Sequence, residues 1–254
     1  MAVRGIDVSK WQGAIDFAKV KAAGFEFVII KAGGWSPSLG FYKDPYFEDN
    51  YKNAVAVGLD VGAYFYTSEY FTGKEQGEKE AALFRDYIAG KKFNYPVAVD
   101  VEEVGTADKA GVTEAVIAFC ESMENAGYYV TIYASDISGF RDRMNLNELS
   151  AYDKWVARYN TMGPQYVTAY GMWQYGGAQN YFRDAKVDGV SSAACDQNFA
   201  YKDYPSIIVD AGLNGYKAEQ PATGELTTYE GDPVVEKFVK WCEENNVDYS
   251  VVYS

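Results

Sequence analysis

Short apolar runs alternate with segments of helical periodicity through most of this 254-residue chain. An apolar run of about four to eight residues between turn residues predicts a buried strand, whereas apolar residues spaced three and four apart predict a helix. The predicted strands are residues 3–8, 25–31, 61–66, 97–102, 129–134, 155–159, 171–175 and 195–199. The predicted helices are residues 15–23, 46–57, 74–88, 113–126 and 137–149.

This order of elements predicts an α/β fold. Five strand–helix pairs are followed by three strands with little helix between them, so we expect a modified TIM-like β/α barrel with eight strands and about five helices. An open, doubly wound sheet is the alternative. After Pro205 the pattern changes, with strands predicted at 206–210 and 249–253 around a helix at 233–244. We therefore expect the barrel over residues 1–204 and a small C-terminal α+β appendage over residues 205–254.

Composition excludes several classes of function. The chain has no histidine, which removes a Ser-His-Asp triad, a Cys-His pair and any zinc site built on imidazole. A net charge of −13 with no run of Lys or Arg argues against nucleic acid as a partner. No apolar stretch reaches the roughly 18 residues that span a bilayer, so we expect no membrane insertion. No glycine-rich phosphate loop follows a strand, and we expect neither a cofactor nor a metal. Carboxylates remain as candidates for catalysis.

Two acids lie two positions apart on the fourth predicted strand. Because side chains alternate along a strand, we expect its valines to face the covering helices, and Ala98, Asp100 and Glu102 to face the barrel axis. Two acids buried side by side cannot both ionise freely, so one of them keeps a proton that it can donate. A proton donor beside a carboxylate is what cleavage of a glycosidic bond requires. The other interpretation is a polar strand end with two solvated acids.

Further acids and aromatic residues are expected at the same mouth of the barrel. Asp7 ends the first predicted strand and Asp196 lies on the last, and these strands are neighbours in a closed barrel; capping of a helix is the alternative for Asp7. Aromatic faces suit the flat faces of sugar rings, although filling of the core must account for some of the aromatic residues. Those at strand ends are Trp11, Tyr64, Tyr66, Tyr133, Trp155, Trp173 and Tyr175.

Eight segments in sequence order resemble a known family. They are residues 5–13 (GIDVSKWQG), 27–33 (FVIIKAG), 62–66 (GAYFY), 96–102 (PVAVDVE), 132–134 (IYA), 154–159 (KWVARY), 172–175 (MWQY) and 196–198 (DQN). Together they resemble glycoside hydrolase family 25, the Chalaropsis-type lysozymes, over residues 1–204. The resemblance implies a barrel of eight strands and five helices. It also implies hydrolysis of the β-1,4 bond between N-acetylmuramic acid and N-acetylglucosamine in peptidoglycan.

The resemblance also implies roles for individual residues. Glu102 matches the general acid, and Asp100 matches the residue proposed to orient the 2-acetamido group of the substrate, which would attack the anomeric carbon. Asp7 and Asp196 match the remaining acids of the cleft. The substrate-binding positions implied are Tyr64, Tyr133, Trp155 and Trp173 as aromatic lining and Lys31 as a cleft-facing base.

Two alternatives to a lysozyme stay open at this point. One is a chitinase-like β-N-acetylglucosaminidase, although its usual longer run of acids (D-x-x-D-x-D-x-E) is absent before Asp100. The other is a non-catalytic peptidoglycan-binding module. The expected partner is the glycan strand of peptidoglycan, and the expected place of action is the bacterial cell wall. The protein would reach it by secretion or by release from the cytoplasm as a phage or prophage lysin. For the C-terminal appendage, cell-wall targeting and self-association are both open.

Overall fold

The computed structural model describes residues 2–177, 186–192, 194–217, 226–228, 233–244 and 251–253. The chain divides into two compact units, Met1–Lys217 and Ala218–Ser254. No helix within these described ranges is long and apolar enough to cross a membrane.

The first unit is a closed barrel of eight strands with a ninth strand outside it. The strands are β1 (Val3–Val8), β2 (Phe27–Ser36), β3 (Gly40–Lys43), β4 (Asp60–Tyr66), β5 (Val97–Asp100), β6 (Val130–Ser135), β7 (Asp153–Ala157), β8 (Met172–Gly176) and β9 (Asp196–Ala200). Their order is β1-β9-β8-β7-β6-β5-β4-β2, and pairing of β1 with β2 closes the ring. β3 forms a hairpin with β2 outside the ring. The predicted eight-stranded barrel is confirmed.

One barrel strand runs against the others. β9 pairs antiparallel with β1 and with β8, whereas the other neighbouring barrel strands pair in parallel. The start of β9 therefore lies at the same mouth as the carboxyl ends of the other seven strands. This reversal brings Asp196, the first residue of β9, opposite Asp7 near the end of β1.

Helices cover the outside of the first strands. The α-helices are α1 (Phe17–Ala22), α2 (Phe47–Ala56), α3 (Gly73–Ile88), α4 (Lys109–Asn125), α5 (Tyr204–Asp210) and α6 (Pro233–Glu244). The first four match predicted helices. The helix predicted at 137–149 is wrong, because this stretch forms a π-helix, Asp136–Arg141, and a short 3-10 helix, Leu146–Leu149. The strand predicted at 206–210 is also wrong, since these residues belong to α5, and β3 was not predicted.

Buried side chains form two clusters, one on each side of the barrel wall. The outer cluster lies between strands and helices and includes the three valines of the β5 segment together with Phe84 and Phe119. The inner cluster fills the barrel and includes Ala98, Tyr133 and Trp155. Ala98 belongs to the inner cluster while its valine neighbours belong to the outer one, so the predicted alternation along β5 is confirmed.

The segment after β9 closes the end of the barrel opposite the mouth, called the lower end here. Tyr204 and Ile208 of α5 are fully buried in the inner cluster. Asn214, at a φ of 53°, is the only residue other than glycine with positive φ in the described part of the chain. Its side chain accepts from the Tyr129 amide (2.7 Å) and donates to the Tyr95 carbonyl (2.9 Å). The first compact unit thus extends to Lys217, beyond the boundary at residue 204 expected from the sequence.

The second unit contains α6 and two short strands. β10 (Leu226–Thr228) pairs in parallel with β11 (Val251–Tyr253). The helix predicted at 233–244 matches α6. Of the strand predicted at 249–253, residues 251–253 are described and lie in β11.

Candidate active site

Two adjacent depressions open at the mouth where the parallel strands end. The smaller has a volume of about 90 Å³ and is called the acid cavity here; its lining is Asp7, Lys31, Tyr64, Tyr66, Asp100, Glu102, Tyr133, Trp155, Gln174 and Asp196. The larger, called the side groove, has a volume of about 350 Å³ and is lined by Glu102, Tyr133, Ser135, Asp136, Ile137, Ser138, Ala157, Arg158 and Tyr159. Glu102 and Tyr133 line both, so Glu102 lies where the two meet.

The strand end that presents the two central acids is held by hydrogen bonds. β5 ends at Asp100, and Glu102 lies just beyond it rather than on the strand. The Asp100 carbonyl accepts from the amide (3.0 Å) and hydroxyl (2.8 Å) of Thr67, and the Val101 amide donates to the Tyr133 carbonyl (3.0 Å). Backbone on both sides thereby directs Asp100 and Glu102 into the acid cavity, as the alternation predicted.

Burial favours the neutral form of both central acids. The Asp100 side chain is only 4% exposed, and its Oδ1 has no hydrogen-bond partner among the described residues. Burial, and then the charge of Glu102, raise the pKa of Asp100 well above its ordinary value. Burial and the charge of Asp7 raise the pKa of Glu102, while Lys31 and Arg143 oppose this shift. The pair therefore retains a proton at a pH where an exposed carboxyl would lose it.

Two further acids meet across the β1–β9 pair. Asp7 and Asp196 are direct partners in the antiparallel register. Burial raises the pKa of Asp7 to about 6, although its Oδ2 accepts from Gln174 Nε2 (2.9 Å) and Asn198 Nδ2 (2.8 Å). Burial and the charges of Asp7 and Glu102 raise the pKa of Asp196 to about 8. All four acids expected at this mouth line the acid cavity.

Lys31 is the basic side chain of the acid cavity. It is 7% exposed, and its Nζ lies 4.0 Å from the centre of the Tyr66 ring. Burial lowers the pKa of Lys31, whereas the charge of Asp100 raises it. Within the described part of the chain, no group of three His, Cys, Asp or Glu side chains is arranged to hold a metal ion.

Sequence reasoning missed two amides that connect the acids to the aromatic lining. Gln174 Oε1 accepts from the hydroxyls of Tyr133 and Tyr159, at 2.8 Å each, while its Nε2 donates to Asp7. Asn198 donates to Asp7 and accepts from Trp155 Nε1 (2.8 Å). Gln174 lies in the segment 172–175 and Asn198 in the segment 196–198, two of the eight segments that carry the family resemblance. A buried amide at an inward position of a strand was the signal that could have identified them.

The predicted aromatic positions do not all reach the cavity. Tyr64, Tyr133 and Trp155 line it. Trp173 does not line it. Its neighbours on β8 belong to the inner side of the barrel, Met172 to the inner cluster and Gln174 to the acid cavity, so the side chain of Trp173 points outward. Its ring lies 6.0 Å from that of Phe199, centre to centre, and its Nε1 donates to the Arg158 carbonyl (2.8 Å). The structure therefore places Trp173 outside the barrel, apart from the other predicted lining residues.

Comparison with known proteins gives one family and several relatives. Residues 6–182 match the profile described as "Glycosyl hydrolases family 25". An autolytic lysozyme of Clostridium acetobutylicum is 27% identical over 215 residues, which are 84% of this chain but 61% of that protein, so this chain spans less than two thirds of its length. An N,O-diacetylmuramidase of Chalaropsis is 26% identical over 76% of this chain and 99% of its own. The crystal structure of a bacterial lysozyme from Streptomyces coelicolor superposes with a TM-score of 0.68 at 25% identity, covering 83% of this chain and 99% of that one.

Proposed function

This chain belongs to the glycosyl hydrolases of family 25, and we propose that it is a lysozyme of bacterial peptidoglycan. The bond cut would be the β-1,4 linkage between N-acetylmuramic acid and N-acetylglucosamine. The observation that supports this most directly is that Asp100 and Glu102 together line the acid cavity and that Glu102 also lines the side groove. The names of two similar proteins, an autolytic lysozyme and an N,O-diacetylmuramidase, support the same polymer.

The position of Glu102 suits a general acid. In the proposed complex, the muramic acid ring whose anomeric carbon reacts occupies the acid cavity, and the leaving N-acetylglucosamine occupies the side groove. Glu102 lines both, so its carboxyl lies beside the bond that joins the two sugars. Because burial raises the pKa of Glu102, it keeps the proton that the glycosidic oxygen must receive as the bond to the anomeric carbon breaks.

The position of Asp100 suits substrate assistance. Its Oδ1 is buried, has no hydrogen-bond partner in the described part of the chain and would accept the N–H of the 2-acetamido group. The acetamido oxygen then attacks the anomeric carbon as the bond to the leaving sugar breaks. The resulting ring, an oxazolinium ion, keeps its N–H proton, which stays hydrogen-bonded to Asp100. Water opens this ring and restores the acetamido group while Glu102, now a carboxylate, takes a proton from the water. In the free protein, burial raises the pKa of Asp100 well above its ordinary value, and Lys31 opposes this shift. In the proposed complex, the hydrogen bond from the substrate amide adds to the effect of Lys31 and favours the ionised form of Asp100, so the shared proton lies on Glu102.

The remaining predicted residues have supporting roles in this proposal. Asp7 and Asp196 would border the developing positive charge at the anomeric carbon, and Tyr64 and Tyr133 would contact the sugar ring. Trp155 is 1% exposed, so it forms the floor of the cavity beneath them. The place of action proposed is the bacterial cell wall, reached by secretion or by phage-mediated release.

The test is digestion of purified cell walls followed by analysis of the new reducing ends. The parent should release ends of muramic acid, and Glu102→Gln should reduce release roughly 100- to 10,000-fold, the usual value of proton donation. Glu114→Gln is the matched control, because Glu114 is exposed on α4 and lines neither depression.

Each other outcome has a clear meaning. Glucosamine ends would support the chitinase-like alternative, and intact walls that bind the protein would support a non-catalytic module. A Glu102→Gln variant with half the parent activity would refute the role of Glu102.

A further inference from the structure

The side groove contains a cation that the proposed chemistry does not use. Most of its lining consists of tyrosine and serine hydroxyls and small apolar groups, which suit a sugar. Arg158 also lines this groove, is half-buried, and is the basic residue of the lining. In a chain with a net charge of −13, an arginine in the substrate groove needs an explanation.

The backbone of Arg158 is held in place by β8. Its amide donates to the Gln174 carbonyl (3.0 Å), and its own carbonyl accepts from Trp173 Nε1 (2.8 Å). Since the residue follows directly on β7, these bonds extend the barrel edge by one position. The guanidinium therefore projects from a rigid base, which reduces the entropy lost when it binds a ligand.

The protein itself does not neutralise this guanidinium. Among the described residues, no carboxylate lies within ion-pair distance of Arg158, and no side chain or carbonyl forms a hydrogen bond with its guanidinium. The acid in the same wall, Asp136, is occupied: its two oxygens accept from the amides of Gln165 (2.9 Å), Tyr166 (3.1 Å) and Val167 (2.9 Å). The other acid, Glu102, is held toward its neutral form by burial.

We propose that Arg158 binds a carboxylate of the substrate beside the leaving N-acetylglucosamine that occupies the side groove. This carboxylate belongs to the lactyl-peptide group of the next muramic acid along the strand, on the leaving-group side of the bond. A guanidinium presents a planar fork of donors that matches a carboxylate with two parallel hydrogen bonds. In a peptidoglycan strand N-acetylglucosamine is neutral, and the carboxyl groups belong to the muramic acid substituents. The inference rests on the proposed function for the identity of the polymer.

This assignment makes Arg158 a specificity residue. A neutral polymer of N-acetylglucosamine would displace water from the guanidinium without offering it a partner, which costs binding free energy. A strand with lactyl-peptide groups would supply the partner. Arg158 should therefore favour peptidoglycan over chitin-like glycans on the leaving-group side of the bond.

The experiment compares three soluble glycan strands of equal length. The first has intact stem peptides, the second has been stripped by an amidase and keeps the lactyl carboxylates, and the third has those carboxylates converted to methyl amides. For Arg158→Gln we expect KM on the first strand to rise roughly ten- to hundredfold, the usual effect of losing a hydrogen bond between charged groups. We expect little change in kcat, because this bond is present both in the bound substrate and in the transition state. Arg158→Lys should recover part of the loss. Arg141→Gln is the matched control, because Arg141 is exposed and pairs with Asp142.

The pattern across the strands identifies the carboxylate. A KM effect confined to the first strand assigns a stem-peptide carboxylate, and an effect that persists on the second assigns the lactyl carboxylate; both support the subsite. An equal effect on the methyl amide strand, or no effect on any strand, would overturn it. Dissociation constants of Glu102→Gln, with and without Arg158→Gln, separate this inference from the proposed function. If Arg158 contributes to binding but the parent does not cleave the strand, the proposed function is refuted and the subsite is not.

Discussion

Four carboxyl groups converge on one small cavity in which burial opposes their ionisation. Burial raises the pKa of all four acids, and the charges of neighbouring acids raise the pKa of Asp100, Glu102 and Asp196 further. Such a cluster is poorly suited to stability, because a buried charge without a close counter-charge is costly. Strain of this kind is typical of a site selected for chemistry rather than for folding.

The pH dependence of stability follows from Asp196. Its pKa rises from 3.8 to about 8 on folding, so the folded chain binds this proton more tightly than the unfolded chain. The resulting stabilisation is complete below the unfolded pKa and is lost as pH rises through the folded value. Asp196→Asn cannot ionise and should not lose this stabilisation. Between about pH 5 and about pH 9 we therefore expect its free energy of unfolding to rise by about 1–2 kcal/mol relative to that of the parent. The size of this difference allows for the partial access of water to the side chain.

Urea unfolding of both proteins at the two pH values measures this difference. Asp86→Asn, at an exposed position of α3, is the control and should follow the parent at both. A parent that gains stability relative to Asp196→Asn as pH rises would contradict the burial of Asp196 in the acid cavity.

At the scale of elements, the π-helix Asp136–Arg141 shapes the side groove. Three of its residues, Asp136, Ile137 and Ser138, line the groove. Asp136 is fully buried and receives three backbone amides from residues 165–167. One carboxylate thus fixes the loop between β7 and β8 against the end of β6.

Removing this carboxylate should cost much of the stability of the barrel. Asp136→Ala leaves three amides without their acceptor, and we expect the free energy of unfolding to fall by about 3–5 kcal/mol. Asp142→Ala provides the comparison, because Asp142 ends the same segment with an exposed pair to Arg141 and should cost less than about 1 kcal/mol. Equal effects of the two substitutions in urea unfolding would show that the loop does not depend on Asp136.

At the scale of the whole molecule, the barrel needs residues beyond its last strand. α5 and Asn214 close the lower end, and Asn214 also binds the backbone of Gly127 and Phe93 through its own amide (2.9 Å) and carbonyl (3.1 Å). The first compact unit accordingly ends at Lys217. The role of the second unit stays a proposal, with wall targeting and self-association as the two possibilities.

Two truncations separate these contributions. A chain ending at residue 217 should keep the barrel folded and cleave soluble glycan fragments like the parent, because its buried core is complete. A chain ending at residue 204 loses Ile208 and Asn214, both fully buried, and should unfold at much lower urea concentration. Binding to whole walls and sedimentation then report on residues 218–254. Equal stability of the two truncations would show that the closing segment is dispensable.

Local periodicity was enough to predict the positions of most strands and helices and the inward direction of Asp100 and Glu102. The reason is that alternation along a strand depends only on adjacent residues and on which face is buried. The same rule applied to β8 would have placed Trp173 outside, since the buried amide Gln174 and Met172 mark the inner face.

What only the tertiary structure decided depends on contacts between residues far apart in the chain. Periodicity could not show that β9 runs against its neighbours, which is what brings Asp196 opposite Asp7 at the mouth. Nor could it show that Asp136 holds residues 165–167, or that Arg158 and Glu102 line the same groove. Closing a barrel pairs the first strand with the last, so the contacts that complete the site join residues from opposite ends of the chain. Local sequence patterns contain no information about which distant residues come together.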